Sequence, residues 1–144
     1  MINIMNILSI DYGEKRIGFA IGDSERKIPN PLQVIQNNSI PFIIDEIKKI
    51  VISYNVEKIV IGIPLNEDSS IGDQSYKVKD FSLIIEKELN IDVIGVDERF
   101  SSVDAEKILL DQDLSRKKRK KVIDALAASI ILQRYFENDE VVNI

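Results

Sequence analysis

Three acidic residues of this chain stand in apolar surroundings, and they constrain how it can fold. Asp11 and Glu98 each follow an apolar run, and Asp124 interrupts another. A carboxylate in such surroundings is costly unless it is paired, protonated or bound to a cation. Three carboxylates brought into one site repel each other and attract divalent metal ions. The sequence therefore favours a fold that gathers these acids around metal.

Two residue types are missing, and their absence narrows the chemistry. The chain has no histidine and no cysteine. A Ser-His-Asp triad, a thiol nucleophile and an ordinary zinc site are therefore excluded, as are disulfides. Carboxylates acting with magnesium or manganese remain as the expected catalytic chemistry.

Apolar periodicity predicts an α/β fold, a mixed sheet with helices on its faces. The first two strands, separated by a glycine turn, are expected to form an antiparallel hairpin. Asp11 and Glu98 fall at the carboxyl ends of strands, where α/β sheets present their ligand sites. The predicted strands cover 4–11, 16–22, 32–35, 58–63 and 91–96, and the predicted helices cover 40–54, 72–89, a segment from Ser101, and about 118–136. Asn90 is expected to cap the second of these helices.

The length of 144 residues suits one domain, spanning 1–144. The first ten residues show neither a basic segment nor a cleavage site, so we expect no secretory signal. The longest nearly apolar stretch, 122–132, is too short to span a bilayer. A cytoplasmic protein without membrane partners is the resulting expectation.

Positive charge is concentrated in one segment, although the net charge is −5. Six consecutive cations precede Asp124 at the start of the last predicted helix, where they oppose the helix dipole. A phosphate-bearing partner explains this placement, since phosphates favour both cations and a helix N-terminus. The alternative is a solvated charged face. The six residues are Arg116, Lys117, Lys118, Arg119, Lys120 and Lys121.

Two loops add candidate contacts. In the segment 11–18, Asp11 is placed to bind metal while Lys15 or Arg16 faces a phosphate, and the glycines allow close backbone approach. The same pattern suits an ordinary hairpin turn or the phosphate-binding hairpin of actin-like kinases. Those kinases need two such lobes, which exceeds this length. In the segment 62–66, Asn66 is expected to offer its amide to substrate.

The segment 97–102 contains two adjacent acids, of which one can belong to the site. Neighbouring residues of a strand point to opposite faces, so only Asp97 or Glu98 faces the same side as Asp11. The residues themselves leave this choice open. Arg99 is a candidate phosphate contact or, alternatively, the structural partner of an acid.

Taken together, these motifs resemble the YqgF family, also called RuvX, over nearly the whole chain. Each motif alone is weak, but the four occur in the family's order and relative positions. The matching segments are 11–18, 62–66, 97–102 and 120–128.

The resemblance implies an RNase H-like fold, a mixed five-stranded sheet with helices on both faces, similar to the Holliday junction resolvase RuvC. It implies that Asp11, Glu98 and Asp124 are the catalytic, metal-binding acids, which selects Glu98 over Asp97. The implied activity is a Mg²⁺- or Mn²⁺-dependent nuclease, acting as a monomer or homodimer on the 5′ end of pre-16S ribosomal RNA. The alternatives are a junction-resolving DNA endonuclease and a non-catalytic nucleic-acid-binding module.

One position departs from the resemblance. RuvC-like enzymes carry a further acid one turn before the last aspartate, and this chain has Lys121 there. We therefore expect three acids in the site, with any second metal ion weakly held.

Overall fold

The structure is a computed structural model that describes residues 3–66, 68, 70–98, 116–137 and 141–142. For 116–122 and 141–142 it describes the backbone. The predicted helix from Ser101 lies outside the described residues. No helix of the described chain is both long and apolar enough to cross a membrane.

The described strands form one mixed sheet in the order β3-β2-β1-β4-β5-β6. β1 and β2 form the expected antiparallel hairpin, and β3 continues it at the sheet edge. β1, β4 and β5 run parallel to one another, and β6 is antiparallel to β5. The strands are β1 Asn6–Tyr12, β2 Arg16–Asp23, β3 Asn30–Gln36, β4 Val56–Ile63, β5 Val93–Asp97 and β6 Val141–Val142.

Two helices, α1 (Ile40–Tyr54) and α2 (Asp73–Leu89), cover one face of the sheet. The Ser39 side chain accepts a hydrogen bond from the first turn of α1, as an N-cap residue should. Asn90 ends α2 in the left-handed conformation, with a φ of 53°, which confirms the expected cap. The core under these helices is built from alternating strand residues such as Ile10.

The third helix, α3 (Arg116–Phe136), packs on the other face of the sheet. Its buried residues Ile131 and Leu132 join a second core with residues of β1, β4 and β5. Small residues let this helix lie close to the strands. The Ser9 hydroxyl of β1 donates a hydrogen bond to the carbonyl of Ala128, which links strand and helix directly.

The expected mixed sheet with helices on both faces is confirmed, and its five predicted strands are joined by a sixth, β6. The sequence analysis missed β6, because a strand of two residues is too short to show any periodicity. The placement of 1–144 in one domain stays a prediction.

Candidate active site

Asp11 and Glu98 meet at the carboxyl ends of their strands, although β4 lies between β1 and β5. Strands spaced about 4.8 Å apart place the two backbones roughly 10 Å from each other. Gly62 of β4 lies in the gap. A Cβ there would come within 2.5 Å of Oε2 of Glu98 and 2.8 Å of its Cβ. The bare glycine therefore leaves the space through which Glu98 reaches Asp11.

Strand alternation explains why Glu98 rather than Asp97 joins Asp11. Val96 belongs to the core beneath α3, so Glu98, two residues further, faces the same side. The amide of Glu98 donates a hydrogen bond of 3.1 Å to the carbonyl of Ile63, which continues the β4–β5 ladder past Asp97. The choice between Asp97 and Glu98 is thus resolved by the alternation of side chains along β5.

Glu98 and Asp11 share a hydrogen bond, and burial dominates the ionisation of both. The pKa of Glu98 rises to about 9, first through burial and then through the charge of Asp11 and the hydrogen bond between the two groups. The pKa of Asp11 rises to about 6, because burial and the charge of Asp124 outweigh the hydrogen bond from Glu98. Burial therefore favours the protonated form of Glu98, and in that form its carboxyl donates a hydrogen bond to the Asp11 carboxylate.

Asp124 approaches this pair from α3, and a second glycine, Gly18, sets how close α3 lies to the sheet. Gly18 of β2 is paired directly with Asp11 in the antiparallel ladder. A Cβ on Gly18 would overlap the backbone carbonyl of Asp124 and would lie 2.8 Å from the amide nitrogen of Ala125. The helix backbone thus rests directly on the strand beside Asp11.

The carboxylate of Asp124 is held by Arg16. Nε of Arg16 donates to Oδ2 of Asp124 over 2.7 Å. Strand alternation places Arg16 on the same face of β2 as Gly18, directly under the helix. The sequence analysis assigned Arg16 to nucleic acid and did not identify it as the partner of Asp124.

Arg134 is a further charged group that the sequence analysis missed. Its Nη1 donates to the backbone carbonyl of Asp97 over 2.8 Å, and its charge lowers the pKa of Glu98 against the larger effects that raise it. The available signal was a cation in the last turn of α3, on a helix otherwise apolar toward the sheet.

The three acids are therefore divided into a pair and a single residue. Among the described residues, no three acidic side chains form a group arranged to hold a metal ion. The three acids nevertheless offer ligand atoms of the kind that a divalent metal ion prefers. The donor set consists only of carboxylate oxygens, the ligands that Mg²⁺ and Mn²⁺ prefer, and burial with mutual repulsion favours a bound cation.

Comparison with known proteins places this chain in a family. Residues 5–138 match the model of RuvX, described as a Holliday junction resolvase. The chain belongs to the RuvX family. This confirms the resemblance, and with it the expected enzyme class, a hydrolase acting on phosphodiester bonds.

Named relatives of this RuvX chain carry one description, "Putative pre-16S rRNA nuclease". The protein from Halothermothrix orenii is 44% identical over 131 residues, covering 91% of this chain and 94% of the relative. The protein from Caldanaerobacter subterraneus is 42% identical over 137 residues, covering 94% and 99%. A third, from Clostridium botulinum, is 41% identical over 134 residues, covering 93% and 98%.

Solved structures share the fold at much lower identity. RuvC of T. thermophilus, in complex with a Holliday junction substrate, aligns with a TM-score of 0.60 at 14% identity, covering 96% of this chain and 99% of that one. The Fowlpox virus resolvase, in a complex with Holliday junction DNA, aligns with a TM-score of 0.56 at 18% identity, covering 93% and 98%. The likeness confirms the RNase H-like fold.

The remaining candidate contacts of this RuvX chain are placed as follows. Lys15 is exposed in the β1–β2 turn, next to Arg16. Asn66 donates its amide to Oγ of Ser70 over 2.8 Å, so in this structure the amide closes its own loop. Arg99 lies outside the described residues. The cations 116–121 form the first part of α3, before Asp124.

We expect Gly18→Ala to push α3 away from β2 and to displace Asp124. Overpacking of this kind costs about 1–3 kcal/mol, or roughly 2–4 °C in Tm per kcal/mol. The variant should also lose most of the Tm increase that Mn²⁺ gives the wild type. Thermal melting with and without Mn²⁺ measures both effects.

Gly22→Ala is the matched control for Gly18→Ala, since its Cβ would meet the Phe136 ring at 3.1 Å on the same face of β2. It should keep the response to Mn²⁺, whatever stability it loses. If Gly18→Ala responded to Mn²⁺ as the wild type does, the helix spacing would not position Asp124 for metal.

Without metal, we expect the stability of the wild type to fall as the pH rises from about 5 to about 9. The pKa values of Asp11 and Glu98 are higher in the folded chain than in the unfolded one, where Asp and Glu titrate at about 3.9 and 4.3. The stabilisation is complete below those unfolded values and is lost as the pH passes the folded values. Glu98→Gln, which cannot ionise, should show a smaller fall.

Melting curves in EDTA across this pH range test the expectation. Glu57→Gln, at an exposed position of β4, removes an acid outside the site and should keep the wild-type profile. Parallel pH profiles for the wild type and Glu98→Gln would show that Glu98 does not hold the proton.

Proposed function

We propose that this chain is a divalent-metal-dependent nuclease that processes the 5′ end of precursor 16S ribosomal RNA in the cytoplasm. The observation that carries the proposal is the meeting of Asp11 and Glu98 across Gly62, with Asp124 brought beside them over Gly18. Buried acids gathered at one end of a sheet contribute little to packing. The names of the relatives, all described as pre-16S rRNA nucleases, support the substrate.

Asp11, Glu98 and Asp124 are the residues that would hold the metal. Nucleases and resolvases of this fold generally use divalent metal ions, and Mg²⁺ or Mn²⁺ suits a donor set made only of carboxylates. When bound, such an ion supplies positive charge at the scissile phosphate and lowers the pKa of the attacking water. Glu98 and Asp11 would hold it from the sheet, and Asp124 from the helix.

Cations around the acids would bind the nucleic-acid backbone. Lys15 lies in the turn that follows Asp11, and the segment 116–121 begins the helix that carries Asp124. Arg99 follows Glu98 directly. The chain is acidic as a whole, so this local concentration of cations would guide phosphates toward the site and away from the rest of the surface.

A junction-resolving DNA endonuclease is the second candidate, because the matching family model is described as a Holliday junction resolvase. The choice between RNA and DNA depends on contacts with the 2′-hydroxyl. A direct test incubates the protein and Mn²⁺ with precursor 16S rRNA, unstructured single-stranded RNA and a four-way DNA junction. Cleavage near the mature 5′ end of the rRNA supports the proposal. Cleavage of the junction alone supports resolution, and binding without any cleavage supports a non-catalytic module.

We expect Asp11→Asn, Glu98→Gln and Asp124→Asn each to abolish cleavage while leaving the fold intact. The amides keep the shape of the side chains and remove the charge that would hold metal. Loss of a residue that only supports a metal ligand costs about 10–100-fold, so loss of a ligand should exceed about 100-fold. Single-turnover cleavage rates and circular dichroism measure the two properties. A folded variant with wild-type cleavage would remove its residue from the site.

Changing Lys117, Lys118, Lys120 and Lys121 to Gln should weaken nucleic-acid binding similarly for all sequences. Each lost phosphate contact should reduce the slope of log affinity against log salt by roughly 0.7–0.9. The matched control changes four exposed lysines on α1 and α2, across the sheet from α3, and should keep the wild-type slope. Those lysines are Lys48, Lys49, Lys77 and Lys87. Equal slopes for the two sets would show that the basic run is only a solvated face.

A further inference from the structure

The ion pair between Arg16 and Asp124 occupies an acid of the proposed metal site. A second ion pair, Lys49 with Glu46, lies on α1, away from the acids. The side chain of Arg16 is 41% exposed, whereas that of Asp124 is 18% exposed. A partly exposed cation therefore holds a carboxylate that is itself largely enclosed.

A divalent ion and this guanidinium would compete for Asp124. Two positive charges on one carboxylate repel each other, and the repulsion is stronger in a partly buried site than in water. Arg16 must therefore move away, or find another anion, before Asp124 can join Asp11 and Glu98 fully around metal.

A backbone phosphate is the anion that best replaces Asp124 as the partner of Arg16. A guanidinium binds phosphate through two parallel hydrogen bonds, which makes this exchange favourable. Lys15, an exposed cation of the turn that follows Asp11, precedes Arg16 in the chain. A nucleic-acid strand entering the site would therefore meet Arg16 next to the acids.

We propose that Arg16 is a positioning residue that acts through Asp124. Without nucleic acid it restrains Asp124 and lowers the affinity of the site for a divalent ion. A bound strand takes Arg16 onto a phosphate and releases Asp124, so nucleic acid and metal bind with positive coupling. Coupling of this type is typically 5- to 150-fold, on the order of one to two powers of ten, and it is reciprocal. The strand's part in this exchange rests on the proposed nuclease function.

Calorimetric titration of Mn²⁺ into the nucleic-acid-free protein tests the restraint. Arg16→Gln should bind Mn²⁺ at least about fivefold more tightly than the wild type, and Arg16→Lys, which can still pair with Asp124, should bind it nearly as weakly as the wild type. Lys15→Gln removes a neighbouring exposed cation and controls for local charge. Equal gains in Arg16→Gln and Lys15→Gln would overturn the restraint.

A double-mutant cycle shows whether Arg16 acts through Asp124. If it does, Arg16→Gln should leave Mn²⁺ affinity unchanged in an Asp124→Asn background. A gain in that background as large as in the wild type would show a general charge effect and would also overturn the proposal. Circular dichroism of each variant excludes misfolding as the cause of any loss.

Fluorescence anisotropy of a short 2′-O-methyl, phosphorothioate oligonucleotide, with and without Mn²⁺, tests the exchange. The ratio of the two affinities measures the coupling, and a denaturing gel confirms that the strand stays intact. The ratio should fall at least about fivefold in Arg16→Gln and stay near the wild-type value in Lys48→Gln, which changes an exposed lysine of α1 on the other face of the sheet. An unchanged ratio in Arg16→Gln would overturn the exchange. A strand that bound no variant would overturn the proposed function and the exchange, while the Mn²⁺ titration would still decide the restraint.

Discussion

Negative charge gathered at the carboxyl ends of β1 and β5 is the constraint on which the rest of the site depends. Burial makes each carboxylate costly, and proximity adds repulsion between them. The protein offsets this cost in two different ways. Glu98 keeps a proton that it shares with Asp11, and Asp124 is neutralised by Arg16. Without metal, the negative charge of the site is therefore offset separately at the Asp11–Glu98 pair and at Asp124.

The geometry of these parts depends on two positions that carry no side chain. Gly62 leaves the space above β4 that Glu98 crosses, and Gly18 lets the backbone of α3 rest on β2. Both lie on the face of the sheet that α3 covers. The distance between helix and sheet therefore sets the position of Asp124 relative to Asp11. An alanine at either glycine would change the site without replacing an acid, because its Cβ would press on Glu98 or on the backbone of Asp124.

Family membership and fold have different support in this protein. The match to the RuvX family covers residues 5–138, and relatives at 41–44% identity cover nearly the same length. The resolvases share the fold at 14–18% identity, so their architecture is retained although few residues are the same. An arrangement that brings strand ends and one helix together suits metal-dependent phosphodiester chemistry, and the cations near it would bind the phosphate backbone of a nucleic acid.

The sequence by itself determined the elements and the class of chemistry. The bounds of α1 were predicted as observed, the cap at Asn90 was recognised, and the hairpin followed from its glycine turn, because periodicity and turn residues act locally. The absence of histidine and cysteine left carboxylates as the expected metal ligands. These inferences needed only neighbouring residues or composition.

Tertiary structure decided the contacts between distant residues. The face on which Glu98 lies depends on how β5 pairs with β4 and packs against α3. Its reach toward Asp11 depends on the absence of a side chain at Gly62. Arg16 meets Asp124 across 108 residues of chain, and no local pattern encodes that pair. The Asn66 amide, expected to face substrate, donates instead within its own loop. Local periodicity specifies which face a side chain takes, but packing alone specifies what that face meets.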